Sequence, residues 1–495
     1  MKRIMKNYAF MFLAAVMLLS ACEKEVITEP VSEPKNLTVF SDNIIIPSPL
    51  LSRMDPVSGD TYLEVWQPEP ISGQKSYVPY LQRLGKDGKQ KWNQWLPLTR
   101  KPGLSWANET VFDTTSDGCV IDGFSVVGQN GKSQVFITKI NPDGTYAWGS
   151  EGKLFYDFGD QGVIDVPCES FVVADKEGGA WIAAGNGART LVIARVDKDG
   201  NFIVDPIVFF NPDNPDDEDG TFLRHPQMYV GADNSLIALL QYSCDISGGG
   251  GRDVILEGRY DVVKIPADGN PGGIIQNRIY DEDEMFHPGM RALLTEDGNG
   301  GAYAIFQNGT DEIHAYLYHF DSNANIDVRH IDIYPSGSQF LILDIFAAAD
   351  PKTGNLAVLF QDILQDENGD PYSNVNLQVI DTKGNLKFED DGKNIFKTKA
   401  KDSLWNNMTY FVHTDDGRWI FTFLWEMAGK SNFLYKSKID IDKGEMQDVT
   451  ELAEIDEIVN MGLDSESRMM VTDGFLRHLW YRLDGMKIYG YDAKI

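Results

Sequence analysis

A tight Asp-Gly turn recurs along this chain at intervals too regular for accident. The stretch "INPDGTYAWG" (140–149) sets Asn-Pro-Asp-Gly between an apolar strand end and a Tyr-x-Trp strand, and the construction returns as "LGKDGKQKW", "VDKDGNF" and "IDTKGNL". Its glycines, or their equivalents, fall at Gly88, Gly144, Gly200, Gly269, Ala324, Gly384, Gly444 and Gly485, with spacings of 56, 56, 69, 55, 60, 60 and 41 residues. A second series interleaves with the first. "DPVSGDTYLEVW", "TSDGCVIDGFSVV", "DKEGGAWIAAG", "ADNSLIALLQY", "EDGNGGAYAIF", "DPKTGNLAVLF", "DDGRWIFTFLW" and "DSESRMMVTDGF" each set a polar turn before an apolar strand. Each unit therefore reads strand, turn, strand, variable loop, strand, Asp-x-Gly turn, strand. The strands are short and rich in Val, Ile, Phe and Tyr, with no helical period of useful length.

Eight copies of a four-stranded antiparallel unit predict an all-β chain folded as a β-propeller of eight four-stranded blades. The count falls to seven if the short final unit, 461–495, is degenerate. A blade cannot bury both faces alone, so blades stack around an axis and the ring closes to protect its edges. The stretch "NLTVFSDNIII" (36–46) is expected to complete the last blade, which makes 37–495 one domain. Trp92 and Trp148, in "KDGKQKW" and "PDGTYAW", resemble the docking Trp of quinoprotein-type propellers, where a Gly turn precedes a Trp wedged between blades. The resemblance covers two turns of eight and implies architecture only; no cofactor-contact motif accompanies it.

The first residues, "MKRIMKNYAFMFLAAVMLLSAC", have the form of a targeting segment. Lys2, Arg3 and Lys6 are basic, and the apolar run Tyr8 to Leu19 is short for a membrane span. The closing Leu19-Ser20-Ala21-Cys22 resembles the lipobox of bacterial lipoproteins. That resemblance implies cleavage after residue 21, diacylation of Cys22 and a paired lipid anchor that ties the chain to a membrane without spanning it. Residues 22–36, acidic and Pro-dotted, read as a solvated tether. Glu23 after the cysteine implies, by the same resemblance, the outer membrane. The "EKE" that follows resembles the surface-export signal of Bacteroides-type lipoproteins but leaves cell surface and periplasmic leaflet open.

The charge is −30, from 44 Lys and Arg against 74 Asp and Glu. Nucleic acid or an anionic lipid surface would need a basic face, which this balance argues against. Beyond the anchor, Cys119, Cys168 and Cys244 cannot all pair internally, and their spacing matches no zinc pattern. Buried small hydrophobes and one Cys119–Cys168 bridge are the two readings.

In this topology both Asp-Gly series lie on one face of the ring. The opposite face carries long, individual loops: "QPEPISGQKSY", "YSCDISGGGGRDVILEGRYD", "QDILQDENGDPYSN" and "EMAGKSN". Recognition is expected there. Two connections on that face, "NPDNPDDEDGTFLRHPQM" (211–228) and "IYDEDEMFHPGMR" (279–291), run acidic cluster, His-Pro, then Met into an innermost strand. They nominate His225 and His287, with Arg224 and Arg291, as a binding face at the channel mouth. Trp106 and Trp405 occupy comparable positions before the strands of other blades. Trp rings suit the apolar faces of sugars, and Asn, Arg and carboxylates suit hydroxyls. The competing reading is structural, with His-Pro capping strand entries and Trp plugging the channel.

Calcium is the alternative that so many Asp-rich turns suggest. Each candidate loop misses by one ligand: Pro215 stands at position one against Gly220, and Leu364 against Gly369. Asp and Asn are instead expected to bind their own turn's backbone, leaving room for adventitious calcium and no resident metal or cofactor. "GGGG" (248–251) follows no phosphate-binding pattern, and neither G-x-S-x-G nor H-E-x-x-H occurs. Asp-Thr-Thr (113–115) and Asp-Ser-Leu (402–404) resemble O-glycosylation acceptor triplets of Bacteroides-type bacteria. The expected protein is a monomeric, lipid-anchored envelope propeller that binds a glycan or an envelope protein rather than an enzyme. The alternatives are a glycan hydrolase or lyase with its site at the channel mouth, and a periplasmic outer-membrane assembly lipoprotein.

Overall fold

The computed structural model describes residues 38–41, 51–68, 77–101, 110–127, 133–159, 169–185, 190–210, 221–245, 256–279, 293–308, 314–334, 342–389, 392–414, 416–427, 432–455, 468–472, 475–482 and 487–494. Their strands form eight sheets, antiparallel but for one pairing. They are blade 1 (51–97), blade 2 (113–159), blade 3 (169–210), blade 4 (221–278), blade 5 (293–332), blade 6 (342–397), blade 7 (403–455) and blade 8 (468–494 with 38–41). In blades 1 to 7 the strands follow chain order from the inner edge outward. The innermost strands touch their neighbours in a complete circle, blade 8 meeting blade 1. Residues 36–495 form one compact unit, a β-propeller.

The last blade is finished by the start of the chain. Thr38–Ser41 pairs antiparallel with Lys487–Lys494 as its outer strand, the closure expected of the 36–46 stretch. Arg477 secures the same seam. It is fully buried, and its guanidinium donates to Thr61 Oγ1 (3.0 Å), Gly85 O (3.2 Å) and Lys86 O (3.0 Å) of blade 1.

The turn series that organises the sequence also organises the backbone. Gly88, Gly144, Gly200, Gly269, Gly384 and Gly444 all have φ between 64° and 85°, and Ala324 takes the same left-handed conformation at 59°. In the second series Asn234 does so at 62°. Left-handed backbone favours Gly and tolerates Asn, which is why the turns show in the sequence. Their aspartates accept bonds from their own backbone: Asp381 Oδ1 takes the N–H of Lys383 and Asn385, both at 2.9 Å, and Asp321 Oδ1 those of Asn323 (2.8 Å) and Asn325 (2.9 Å).

Packing explains why the second strands read as nearly continuous apolar runs. Ile237 and Leu239 face blade 5, whereas Leu236, Ala238 and Leu240 face blade 3. Both sides of such a strand are buried, so the alternation of a half-exposed sheet is lost. Each of six apolar clusters fills one seam between consecutive blades, from 1–2 to 6–7. Polar stitches join blade to blade as well. Trp92 Nε1 donates to Pro142 O (3.1 Å), Trp148 Nε1 to Lys198 O (3.1 Å), Trp181 Nε1 to Asn234 O (2.9 Å) and Tyr303 OH to Gly354 O (2.7 Å). Trp92 and Trp148 lie against Gly144 and Gly200, where an added Cβ would stand 3.3 and 2.8 Å from the indole. The Asp-Gly turn is thus the surface on which the previous blade docks.

Two details differ from the repeat reading. Thr110–Val111 leaves blade 2 and pairs in parallel with Ser170 and Phe171, giving blade 3 a fifth strand at its inner edge. Cys119 is a free, buried thiol that approaches Asn141 Oδ1 at 3.6 Å, and burial pushes its pKa up to about 11; Cys168, its candidate partner, lies outside the described residues.

Candidate functional site

Antiparallel order puts the ends of the second strands and the starts of the third strands on the variable face. Of the residues nominated there, Trp106, His287 and Arg291 lie outside the described residues, as does Cys22. The backbones of Arg224 and His225 belong to Thr221–Val230, the innermost strand of blade 4. Pairing there jumps from Arg224↔Gln241 to Gln227↔Leu239, so His225 and Pro226 sit in a bulge. Pro lacks the N–H that a ladder requires, which accounts for the break. Trp405 lies on Ser403–His413, the innermost strand of blade 7, opposite Leu424, just before another break in pairing. The side chains of these three residues lie outside the described set.

A described cluster occupies the variable half of blade 5, on the side turned toward blade 4. The strand His314–Phe320 begins with His314, whose Nδ1 is 2.7 Å from Asp332 Oδ2 on the neighbouring outer strand. The His314 and Tyr316 rings stack with centroids 5.7 Å apart and planes 10° from parallel. Tyr316 also meets His330, with ring centroids 4.2 Å apart and planes tilted by 35°. Tyr318 OH and His330 Nδ1 are 3.0 Å apart. His330 sits in the bulge between Val328 and Ile331 with φ at 55°, an uncommon conformation for a non-glycine residue. Arg329 beside it donates to Ile279 O of blade 4 at 3.3 Å. His314, Tyr316 and Asp332 are half-buried and His330 is exposed, so three rings and a carboxylate reach solvent together.

Sequence reasoning missed this group. The alternation in "HAYLYH" (314–319) sets His314, Tyr316 and Tyr318 on one side of a strand, which periodicity alone could have shown. The approach of His330 and Asp332 depends on the bulge, which it could not.

Other charged groups on the inner strands act as stitches. Asp113 Oδ2 accepts the Ala174 N–H of blade 3 at 2.8 Å, while Arg53 of blade 1 stands 3.7 Å from its Oδ1. Burial raises the Asp113 pKa against the pull of that N–H and of Arg53. Thr114 donates to Met54 O (2.8 Å) and Ser403 to Glu426 Oε2 (3.2 Å), so the hydroxyl at the middle of each glycosylation-like triplet is engaged. Among the described residues no group of three or more His, Cys, Asp or Glu is placed to hold a metal ion.

No family model matches the chain, and no curated protein matches it in sequence. Similar solved structures include the polysaccharide lyase Uly1, with 11% identity, 94% of this chain and 100% of that one covered, and a TM-score of 0.41. An ulvan lyase of a new polysaccharide lyase family shares 13% identity, with 85% and 96% covered and a TM-score of 0.40. The β-propeller domain of the trilobed protease from Pyrococcus furiosus shares 10%, with 82% and 97% covered and a TM-score of 0.38.

Proposed function

We propose that this chain is a lipid-anchored propeller of the bacterial cell envelope that binds a neutral glycan on its variable face. The observation that carries the reading is the ring cluster of His314, Tyr316 and His330 with Asp332 beside it. Stacked rings offer an apolar platform for a sugar's C–H face, and the imidazoles and carboxylate offer partners for its hydroxyls. A net charge of −30 repels polyanionic chains, which favours an uncharged ligand. The anchor at Cys22, the outer membrane and the nominated residues at 106, 224, 225, 287, 291 and 405 belong to the same proposal, as does kinship with quinoprotein-type propellers.

The test is a binding screen of the soluble body, from Asn36 onward, against neutral polysaccharides, with Tyr316→Ala beside it. Retention that the variant loses while keeping its melting temperature supports the reading. Equal retention by both proteins removes it. The His314–Asp332 pair favours one second reading, glycan cleavage, because a carboxylate that orients imidazole is the arrangement of a general base. New reducing ends, or the ultraviolet absorbance of an unsaturated product, would distinguish cleavage from binding.

A further inference from the structure

The seam between blades 6 and 7 carries a second aromatic surface on the variable side, independent of the blade 5 cluster. Phe396 comes from the outer strand of blade 6, and Trp425, Phe433 and Tyr435 come from blade 7; all four are half-buried. Phe396 meets Trp425 edge-on at 5.3 Å and 87°, and Trp425 lies 5.7 Å from Tyr435. Phe423 underlies them, fully buried, 5.1 Å from Phe396 and 5.5 Å from Tyr435. Side chains alternate along a strand, so the residues that follow these rings face away from the seam: Glu426 accepts from Ser403, and Lys397 holds its ammonium 4.0 Å from the Tyr372 ring centre.

Packing alone does not account for Trp425. At the corresponding place on their second strands, blade 2 carries Val126 and blade 6 carries Asp362, which accepts from Tyr334 OH. A buried indole N–H normally finds an acceptor, as Trp92, Trp148 and Trp181 do here. The Trp425 Nε1 is buried and has none. The chain therefore keeps a large ring at the rim and leaves its one polar atom unsatisfied.

We infer that this seam binds a neutral pyranose: its C–H face stacks on Trp425 and Phe396, and one hydroxyl oxygen accepts the Trp425 N–H. Because the free chain covers that N–H, binding turns the indole, which makes Trp emission a direct readout. The inference rests on the glycan-binding reading but places the ligand on different blades, so the two can fail separately.

The experiment titrates the soluble body with methyl β-glucoside, methyl β-galactoside and N-acetylglucosamine, following Trp emission and saturation-transfer NMR. Trp425→Phe, which keeps a ring and removes the N–H, is compared with Trp425→Ala and His314→Ala. Saturable binding is expected with at least one sugar. It should weaken roughly tenfold in Trp425→Ala and about threefold in Trp425→Phe, and persist in His314→Ala. Should Trp425→Ala fail to fold, Trp425→Phe alone decides. Absence of saturation with all three sugars overturns the inference. Binding that Trp425→Phe retains in full but His314→Ala abolishes overturns it while leaving the blade 5 site standing.

Discussion

Two buried carboxyl groups meet between blades 1 and 2. Glu64 and Asp122 are both 0% exposed. Leu51, Leu81, Phe124 and other apolar residues fill this seam. Asp122 Oδ1 accepts the Gly123 N–H at 2.7 Å. Burial first, then the charge of Glu64 and the hydrogen bond shared with it, hold the Asp122 pKa well above the usual carboxylate range. Asp122 therefore keeps a proton in the folded chain at pH values where the unfolded chain has lost it. A group whose pKa is raised by folding contributes stability that is complete below its unfolded pKa, about 3.9, and is lost as pH rises toward its folded pKa. One proton makes the slope about 1.4 kcal/mol per pH unit. Asp122→Asn removes it, because the amide donates to Glu64 and accepts from Gly123 without taking up a proton. Relative to wild type, the variant should gain about 1.4 kcal/mol for each pH unit above 4, or about 1 to 2 °C in melting temperature, until Asp122 in the native chain ionises. Asp122→Ala should instead lose about 3 kcal/mol at neutral pH, since Glu64 is left buried without its partner. Urea unfolding from pH 4 to 8, fitted for wild type and Asp122→Asn, measures the difference. A gap that stays constant across that range would refute a shared proton.

Three further predictions follow from the same kind of reasoning. His319, buried between Asp297 (3.1 Å) and Asp327 (2.5 Å), is opposed by burial, yet its bonds to both carboxylates and their charges raise its pKa. Its contribution is complete below about pH 6.5 and lost as pH rises through the folded value, so His319→Gln should cost more at pH 6 than at pH 9 by chemical denaturation. Arg477→Met removes the buried seam between blades 8 and 1 and should cost about 3 kcal/mol in the same assay, with residues 38–41 losing amide-exchange protection first. Trp148→Phe deletes the bond to Lys198 O while keeping the ring against Gly200, for a loss of about 1 kcal/mol in thermal unfolding; a loss above about 3 kcal/mol would mean that the ring, and not the N–H, has been misplaced.

Much of the ring could be read from the sequence because left-handed turns demand particular residues. Gly144, Gly200 and Gly384 announce themselves, and Ala324 is recognised by position, where its neighbours Asp321 and Asn325 rebuild the same bonded turn. Burial on both sides of a strand shows equally well, as in Leu236 to Leu240. Contacts between blades were not legible. Glu64 and Asp122 are two acids among 74, and nothing local marks them as partners. The crossing of Thr110–Val111 to blade 3 obeys no repeat. At the candidate site the residues nominated by loop motifs were His225 and its companions. The cluster formed by His314, Tyr316, His330 and Asp332 depends on a bulge that changes which residues face each other.

On the proposed function, the variable face of the ring recognises the glycan while the Asp-Gly face only docks blade to blade. Amide exchange across the soluble body, with and without the neutral glycan retained in the screen, tests it most directly. Protection is expected in peptides spanning 314–318 and 328–332 and in the variable loops beside them, with turns 142–145, 197–201 and 381–385 unchanged. Protection centred on those Asp-Gly turns would contradict it.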